Sequence, residues 1–378
     1  METVYYLWLN LKEKISKSTK FELLEHFGSA EKLFKADKDA YNECRILSGG
    51  DIEALCDKSL KEAEKELKKA QSMGVSLVTA DSPEYPKELL NMPDPPVLLY
   101  AVGDTSLLNE KLPFCIVGTR HASGYGLSAA MQIAGQIAEC GMTVISGCAL
   151  GIDSAAHKGA LLPHGKTIGV AGCGINVDYP SGNEALRREM REKGLIISEF
   201  PLDTPPYGHN FPIRNRLLAG LSLGVAVIEA GQRSGALNTA HHAWEQNKDV
   251  FALPGNITNK QSGGTNSLIA DGASVLLGGD TIIGEYIMRY PKLFEIDEVI
   301  KDKNEPVLED TRKVAGIFET DAADNESKAL KILAEADAHI DDISREIGIS
   351  AAEANVLMTM LQIKGKVLEK PGRIYTLK

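Results

Sequence analysis

The fold is decided by the stretch FCIVGTRHASGYG, residues 114–126. Its first four residues are apolar, which is typical of a strand buried inside a sheet, and a glycine follows them directly. A helical pattern begins near Tyr125, after a short segment rich in glycine. A buried strand, a flexible turn and a helix in immediate succession predict the first unit of an α/β sheet.

The same succession repeats along the middle of the chain. Further buried strands are predicted at residues 143–145, 168–171, 195–197, 225–228 and 250–252. Helices are predicted between them, at residues 125–139, 154–161, 183–192, 213–221 and 236–246. Short apolar strands that alternate with helices predict the α/β class, with a doubly wound parallel sheet.

The flanking regions have different patterns. Residues 1–78 are predicted to be helical, with one helix that ends at Gly28. The sheet is predicted to occupy residues 79–296, and the polar, acidic segment 297–326 is interpreted as a linker. Residues 327–378 are predicted to form helices near 329–336, 341–347 and 350–362, followed by a hairpin around Pro371. That order is typical of a winged helix.

Composition excludes several classes of protein. No apolar run approaches the roughly 20 residues of a membrane span, and the first residues lack the basic segment of a signal peptide. Six cysteines without a Cys-x-x-Cys pair indicate reduced thiols and a cytoplasmic protein. The histidines show no metal-ligand spacing, so we expect no metal and no cofactor. With a net charge of −11, phosphate binding is predicted to depend on a local patch and on backbone N–H groups.

The loop after the first strand is the first candidate site. Gly118, Thr119 and Arg120 lead to Ser123 and a helix N-terminus, where free amides and the helix dipole favour a phosphate. The loop lacks the G-x-G-x-x-G spacing of a dinucleotide oxidoreductase and is not a Walker A loop. Ser234 and Gly235, in the turn after residues 225–228, predict a second phosphate contact of the same kind.

The loop after residues 143–145 offers a structural alternative. Asp153 is expected to be a helix N-cap, a role at least as good for it as a functional one. His157 lies one helical turn further on and could pair with Asp153.

The sharpest motif is FPIRNR, residues 211–216. Arg214 and Arg216 flank Asn215 where a loop enters a helix, and Phe211 precedes them. Guanidinium groups can hold a phosphate while a nucleobase stacks on the aromatic ring. The alternative is that one arginine is a structural ion-pair partner. Lys248 is expected to add a charge at the rim of the site.

At these loops the sequence resembles the DprA/Smf family of DNA-processing proteins. The resemblance rests on IVGTR (116–120), SGCALGID (146–153), AHKGAL (156–161), DYP (178–180), FPIRNRLLAGLS (211–222), SGALNTA (234–240), VFALPG (250–255) and LIADGA (268–273). It is strong over residues 83–277 and looser outside them. It implies an extended Rossmann-like domain, with a helical SAM-like domain before it and a winged helix after it.

The resemblance also implies a function. Members bind single-stranded DNA, dimerise, protect incoming strands during natural transformation and load the RecA recombinase. By this resemblance the single-strand contacts are Gly118, Arg120, Phe211, Arg214, Arg216 and the Ser234–Gly235 turn. The chain departs from the family at Leu150, where a basic residue is usual, and at Gly208, near which another is common.

Two other functions stay open. Related Rossmann-like phosphoribohydrolases cleave nucleoside monophosphates, but they carry a glutamate in a helix that here begins SGALNTAH (234–241), without a carboxylate. We therefore expect no enzyme activity. A winged-helix regulator of duplex DNA is the other alternative, because Lys364, Lys366, Lys370 and Arg373 lie near the predicted wing.

Overall fold

Nine strands form the main sheet of this computed structural model, which describes residues 2–161, 165–294, 319–349, 354, 357–358, 361, 366–370 and 374–377. They are β1 (Ser76–Thr79), β2 (Leu98–Gly103), β3 (Pro113–Val117), β4 (Thr143–Ser146), β5 (Lys166–Val170), β6 (Leu195–Ser198), β7 (Gly224–Val227), β8 (Asp249–Ala252) and β9 (Ser274–Val275). Their order is β1-β2-β6-β5-β4-β3-β7-β8-β9. The strands from β6 to β9 in this order are parallel, whereas β1 and β2 add an antiparallel edge. The predicted doubly wound parallel sheet is confirmed.

Helices cover both faces of the sheet. Both faces carry apolar side chains, because alternate residues of these apolar strands point to opposite faces. The helices are α7 (Gly124–Glu139), α8 (Ile152–Ala160), α9 (Glu184–Lys193), α10 (Asn210–Gly220), α11 (Gly235–Glu245), α12 (Gly263–Ala270) and α13 (Gly279–Arg289). Phe114 and Ile116 of β3 pack in one core with residues of α7, α8 and α13. Cys115 and Val117 pack in the other core with residues of α10, α11 and α12. The carboxyl ends of the strands therefore lie between two helical layers.

Six helices precede the sheet: α1 (Thr3–Asn10), α2 (Lys17–Phe27), α3 (Ala30–Lys35), α4 (Lys38–Glu43), α5 (Gly49–Cys56) and α6 (Lys61–Ser72). As predicted, α2 ends at Gly28, whose φ of +79° suits glycine. Trp8 shares a hydrophobic core with Tyr100 of β2 and Ile196 of β6. The described residues up to 294 accordingly form one compact unit, and the sheet begins at Ser76, within the region predicted to be helical.

The second unit contains α14 (Glu319–Glu335), β10 (Ala338–His339), α15 (Ile340–Ile347), β11 (Val367–Lys370) and β12 (Ile374–Leu377). Its strands are ordered β10-β12-β11, and Leu333, Ile343 and Tyr375 share its core. The predicted hairpin strands are present. The helix expected at residue 329 instead begins at Glu319, so 319–326 is helical rather than linker. Acidic residues there favour a helix N-terminus. Most of the helix predicted at 350–362 lies outside the described residues.

Within the described ranges, no helix combines the length and apolar character that crossing a membrane requires.

Candidate functional site

A cavity of about 300 Å³ opens at the carboxyl ends of β3, β4 and β7. It lies where the strand order reverses between β3 and β7, the usual ligand position in a doubly wound sheet. Eight predicted site residues line it: Gly118, Thr119, Arg120, Phe211, Arg214, Asn215, Ser234 and Gly235. Residues from three separate segments of the chain thus meet at one place, although as many as 117 positions separate them in the sequence.

Close backbone packing fixes the loop that follows β3. A side chain at Gly118 would lie 2.5 Å from Ile152 Cγ1, so only glycine fits there. Gly151 has a φ of +80°, and a Cβ on it would come within 2.4 Å of the Thr119 carbonyl oxygen. The Thr119 amide donates to the carbonyl oxygen of Glu229 at 2.7 Å. These contacts hold the backbone that carries Arg120 against the loops after β4 and β7.

Arg120 is exposed and lies at the mouth of the cavity. Its guanidinium carbon is 4.7 Å from the centroid of the Phe211 ring, within the range of a cation–π contact. Its Nη1 lies 3.4 Å from the Tyr179 hydroxyl, and the Tyr179 and Phe211 rings are 5.5 Å apart. Among the described residues, Arg120 forms no ion pair with a carboxylate. A cation and two aromatic rings therefore remain available to a ligand at this mouth.

Arg214 lies inside the protein, with 3% of its surface exposed. Its Nη1 donates to the carbonyl oxygen of Gly147 at 2.6 Å and also to that of Val170. These carbonyls follow β4 and end β5, so the guanidinium ties the two strand ends together. Burial lowers the pKa of Arg214, and Asp153 opposes that shift. Arg214 is thus a structural part of the cavity wall.

Two further predicted residues build the opposite wall. Asn215 Nδ2 donates to the Gly235 carbonyl oxygen at 3.1 Å, which joins α10 to α11. Ser234 caps α11, because its hydroxyl accepts from the Ala236 amide at 3.3 Å. The first amides of a helix lack intrahelical partners and attract anions. The wall therefore presents a helix N-terminus beside Phe211.

Three predicted contacts lie outside the cavity lining. Ser123 caps α7, and its hydroxyl donates to Glu229 Oε1 at 2.6 Å. Arg216 has 5% of its surface exposed and pairs with Glu199 at 2.6 Å and Asp94 at 2.8 Å. Arg216 is therefore a structural ion-pair partner, which was the alternative interpretation of the FPIRNR motif. Two positions along a helix turn a side chain by about 200°, which separates Arg216 from Arg214.

Lys248, expected at the rim, is also corrected. Its Nζ donates to the carbonyl oxygens of Ala219 at 2.8 Å and Gly220 at 2.6 Å. These are the last carbonyls of α10, which have no partner within the helix. Burial lowers the pKa of Lys248 to about 8. Lys248 therefore caps α10 and does not face the cavity.

The expected roles of Asp153 and His157 also change. Gly151 is the N-cap of α8, and Asp153 lies in the first turn with its carboxylate accepting the Ala149 amide at 3.3 Å. His157 Nδ1 lies 2.7 Å from Thr167 Oγ1 and so pairs with Thr167 rather than with Asp153. Burial, with the charge of Arg214, lowers the pKa of His157 to about 3.

Tyr179, part of the DYP motif, is the functional candidate to which the sequence analysis assigned no role. It follows β5, and the carboxyl end of every parallel strand reaches the same edge of the sheet. This rule was the signal that could have identified it. Leu150, where a basic residue was expected, is 42% exposed beside Gly151. No group of three or more metal-ligating side chains occurs among the described residues.

Known proteins match the chain over nearly its whole length. The family model described as DNA recombination-mediator protein A matches residues 76–287, and the DprA winged helix domain matches residues 319–373. Protein Smf of Synechocystis sp. is 30% identical over 398 residues, which cover 99% of this chain and 98% of that protein.

Two solved structures are also similar. DNA processing protein A from Streptococcus pneumoniae has a TM-score of 0.66 and 31% identity, and covers 75% of this chain and 98% of its own. The Helicobacter pylori protein, described for its single-stranded DNA binding mode, has a TM-score of 0.53 and 34% identity. That match covers 57% of this chain and 97% of its own.

Fold and sequence together define a class: a Rossmann-like protein with a ligand cavity at its switch point and a winged-helix domain. The chain belongs to the DNA recombination-mediator protein A family, also called DprA/Smf. Its role is accordingly that of a recombination mediator in DNA processing.

Proposed function

We propose that this protein binds single-stranded DNA at the cavity between β3 and β7, with little preference for sequence and without chemistry on the strand. The observation that carries the proposal is the exposed Arg120 guanidinium stacked on Phe211 at 4.7 Å. A guanidinium can bind a phosphate while an adjacent ring stacks on any nucleobase, because every base has a π face. The binding mode described for the Helicobacter pylori relative supports this choice of ligand.

The contacts in the cavity favour the strand backbone over base reading. Arg214 and Asn215 direct hydrogen bonds to protein carbonyl oxygens, which uses them to build the wall. Arg120 and the first amides of α11 remain for phosphate oxygens. Binding of this kind weakens steeply with salt, because each neutralised phosphate releases counterions.

A non-enzymatic role agrees with the carboxylates of the site. Among the described residues that line the cavity, Asp153 is the one carboxylate. Its Oδ2 accepts the Ala149 amide at 3.3 Å, and burial raises its pKa. The helix after Ser234 contributes Ala236 and Thr239 to the lining instead of an acid. Free base released from nucleoside monophosphates would revive the phosphoribohydrolase alternative.

The winged helix is better suited to a protein contact than to reading a duplex. Lys366 pairs with Glu326 at 2.7 Å, and Lys370 pairs with Asp337 at 2.5 Å. These pairs reduce the positive charge available to a phosphate backbone. Lys364 and Arg373 lie outside the described residues. Removing the chain after residue 318 should therefore leave single-strand binding intact.

The finer parts of the proposal follow the family resemblance. We propose that the protein acts in the cytoplasm as a homodimer, protects incoming strands during natural transformation and loads RecA onto them. RecA-driven strand exchange on DNA coated with single-strand-binding protein, with and without this protein, tests the loading step. An unchanged rate of exchange would contradict it.

The central test is an anisotropy titration of fluorescent oligothymidylate with wild type, Arg120→Ala and the matched control Arg188→Ala. Arg188 is exposed on α9 and does not line the cavity. Arg120→Ala should weaken binding about tenfold, with a shallower salt dependence. Arg188→Ala should bind as wild type does. Equal affinity of Arg120→Ala and wild type would contradict the site, and tighter binding to duplex would contradict the ligand.

A further inference from the structure

A second cavity lies next to the first, on the other side of one short loop. Its volume is about 620 Å³, and its lining includes Gly231, Gln232 and Arg233, while Ser234 and Gly235 of the same loop line the first cavity. The Ser234 amide donates to the Gly231 carbonyl oxygen at 2.9 Å, which closes the loop into a tight turn. A chain leaving the first cavity over this turn enters the second.

A second contact joins the two cavities. Gln261 lines the second cavity, and its Nε2 donates at 3.2 Å to the carbonyl oxygen of His121, which lines the first. The Ala230 amide in turn donates to the Gln261 carbonyl oxygen at 2.8 Å. The segment around Gln261 is therefore fixed relative to the Arg120 loop, and the two cavities are held side by side.

The charge of the second cavity is unusual for this protein. Its lining contains two cations, Arg233 and Lys260, and no carboxylate, although the whole chain carries a net charge of −11. Both side chains are exposed, and among the described residues neither forms an ion pair. In a larger cavity beside α2, by contrast, Lys17 pairs with Glu199 at 2.6 Å, and Lys20 donates to the Asn10 carbonyl oxygen at 2.8 Å.

We propose that the second cavity holds the phosphodiester backbone of the DNA segment that continues from Phe211, with Arg233 and Lys260 each neutralising one phosphate. This inference rests on the proposed single-strand function. The second cavity is an open groove, and its two cations lie at the ends of long, exposed side chains. This arrangement suits a polymer that runs along the surface better than an enclosed small anion. Ile257, 91% exposed, offers apolar surface to a sugar or a base beside that backbone.

The test measures binding of oligothymidylates of about 4 and about 16 nucleotides across salt concentrations. The proteins are the full-length wild type, Arg233→Gln, Lys260→Gln and the control Lys68→Gln, whose exposed lysine lies on α6. Each groove variant should bind the longer strand about three- to tenfold more weakly and lower the slope of log K against log salt by about 0.7. The shorter strand and the control should be unaffected.

The outcomes separate this inference from the function on which it rests. If Arg120→Ala weakens binding while both groove variants keep the wild-type salt slope, the groove assignment is wrong and the single-strand site stands. Loss of affinity for the short strand in both groove variants would also contradict a separate backbone path. If wild type binds neither strand, both proposals are wrong.

Discussion

The loop after β3 and the helix α10 both bring arginine to the same cavity, and they use it in opposite ways. Arg120 in the loop is exposed and stacks on an aromatic ring, with its charge open to a ligand. Arg214 and Arg216 in the helix are buried. Arg214 donates to backbone carbonyl oxygens, and Arg216 pairs with carboxylates. An arginine-rich motif can therefore supply the buried side chains that hold an anion site together, while a neighbouring loop supplies the side chain that contacts the ligand.

The largest expected effect comes from removing the buried guanidinium of Arg214. Arg214→Ala should lower the free energy of unfolding of the main unit by about 4 kcal/mol, because Asp153 and two strand-end carbonyls lose a buried partner. Urea denaturation measures the loss. Arg120→Ala is the matched control and should change stability by at most about 0.5 kcal/mol. A wild-type urea midpoint for Arg214→Ala would remove the distinction between the two elements.

The other side of α10 should respond almost as strongly. Glu199 has a side chain 3% exposed and binds both Arg216 and Lys17, so it joins α10 to the N-terminal helix α2. Glu199→Ala leaves the buried Arg216 and the half-buried Lys17 without this partner and should cost about 3 kcal/mol.

Urea denaturation also checks this second prediction. Its matched control is Glu189→Ala, which removes an exposed i,i+4 pair with Lys193 and should cost at most about 0.5 kcal/mol. Similar losses in the two variants would show that the Arg216 network does not stabilise the fold.

The same contrast explains how far the sequence could predict the molecule. The apolar run at 114–117 predicted β3 within one residue, because strand burial and the following glycine are local properties. The strand pattern also predicts that Gly118, Phe211 and Ser234 lie at one edge of the sheet, because the carboxyl ends of parallel strands lie together. It could not reveal that Glu199 lies beside Arg216 or that Ala219 and Gly220 face Lys248. Those partners depend on tertiary packing, which no local pattern encodes.

Phe211→Ala tests the exposed side of the comparison. Loss of the ring removes the surface on which a nucleobase and the Arg120 guanidinium can stack. Single-strand binding should therefore become weaker by roughly 2 kcal/mol. Anisotropy measures the change, and Phe200→Ala, at a half-buried ring of another cavity, is the control. Stability should change less than in Arg214→Ala. Equal affinities of the two phenylalanine variants would place the bases elsewhere.

Acid has the smallest effect per pH unit, and this effect reports on the buried surroundings that His157 shares with Arg214. Burial and Arg214 lower the pKa of His157 to about 3 from an ordinary 6.5, so between these values the unfolded chain binds a proton that the folded chain does not. Stability should therefore fall by about 1.4 kcal/mol for each pH unit as acid is added within that window.

His157→Gln removes this titration, and urea denaturation at several pH values should show a correspondingly flatter profile. Asp153, whose pKa burial raises, contributes the opposite slope, but it does so in both proteins and cancels in the difference. Parallel profiles for the two proteins would mean that His157 accepts a proton in the fold. The surroundings shared by His157 and Arg214 would then be less shielded from water than the fold indicates.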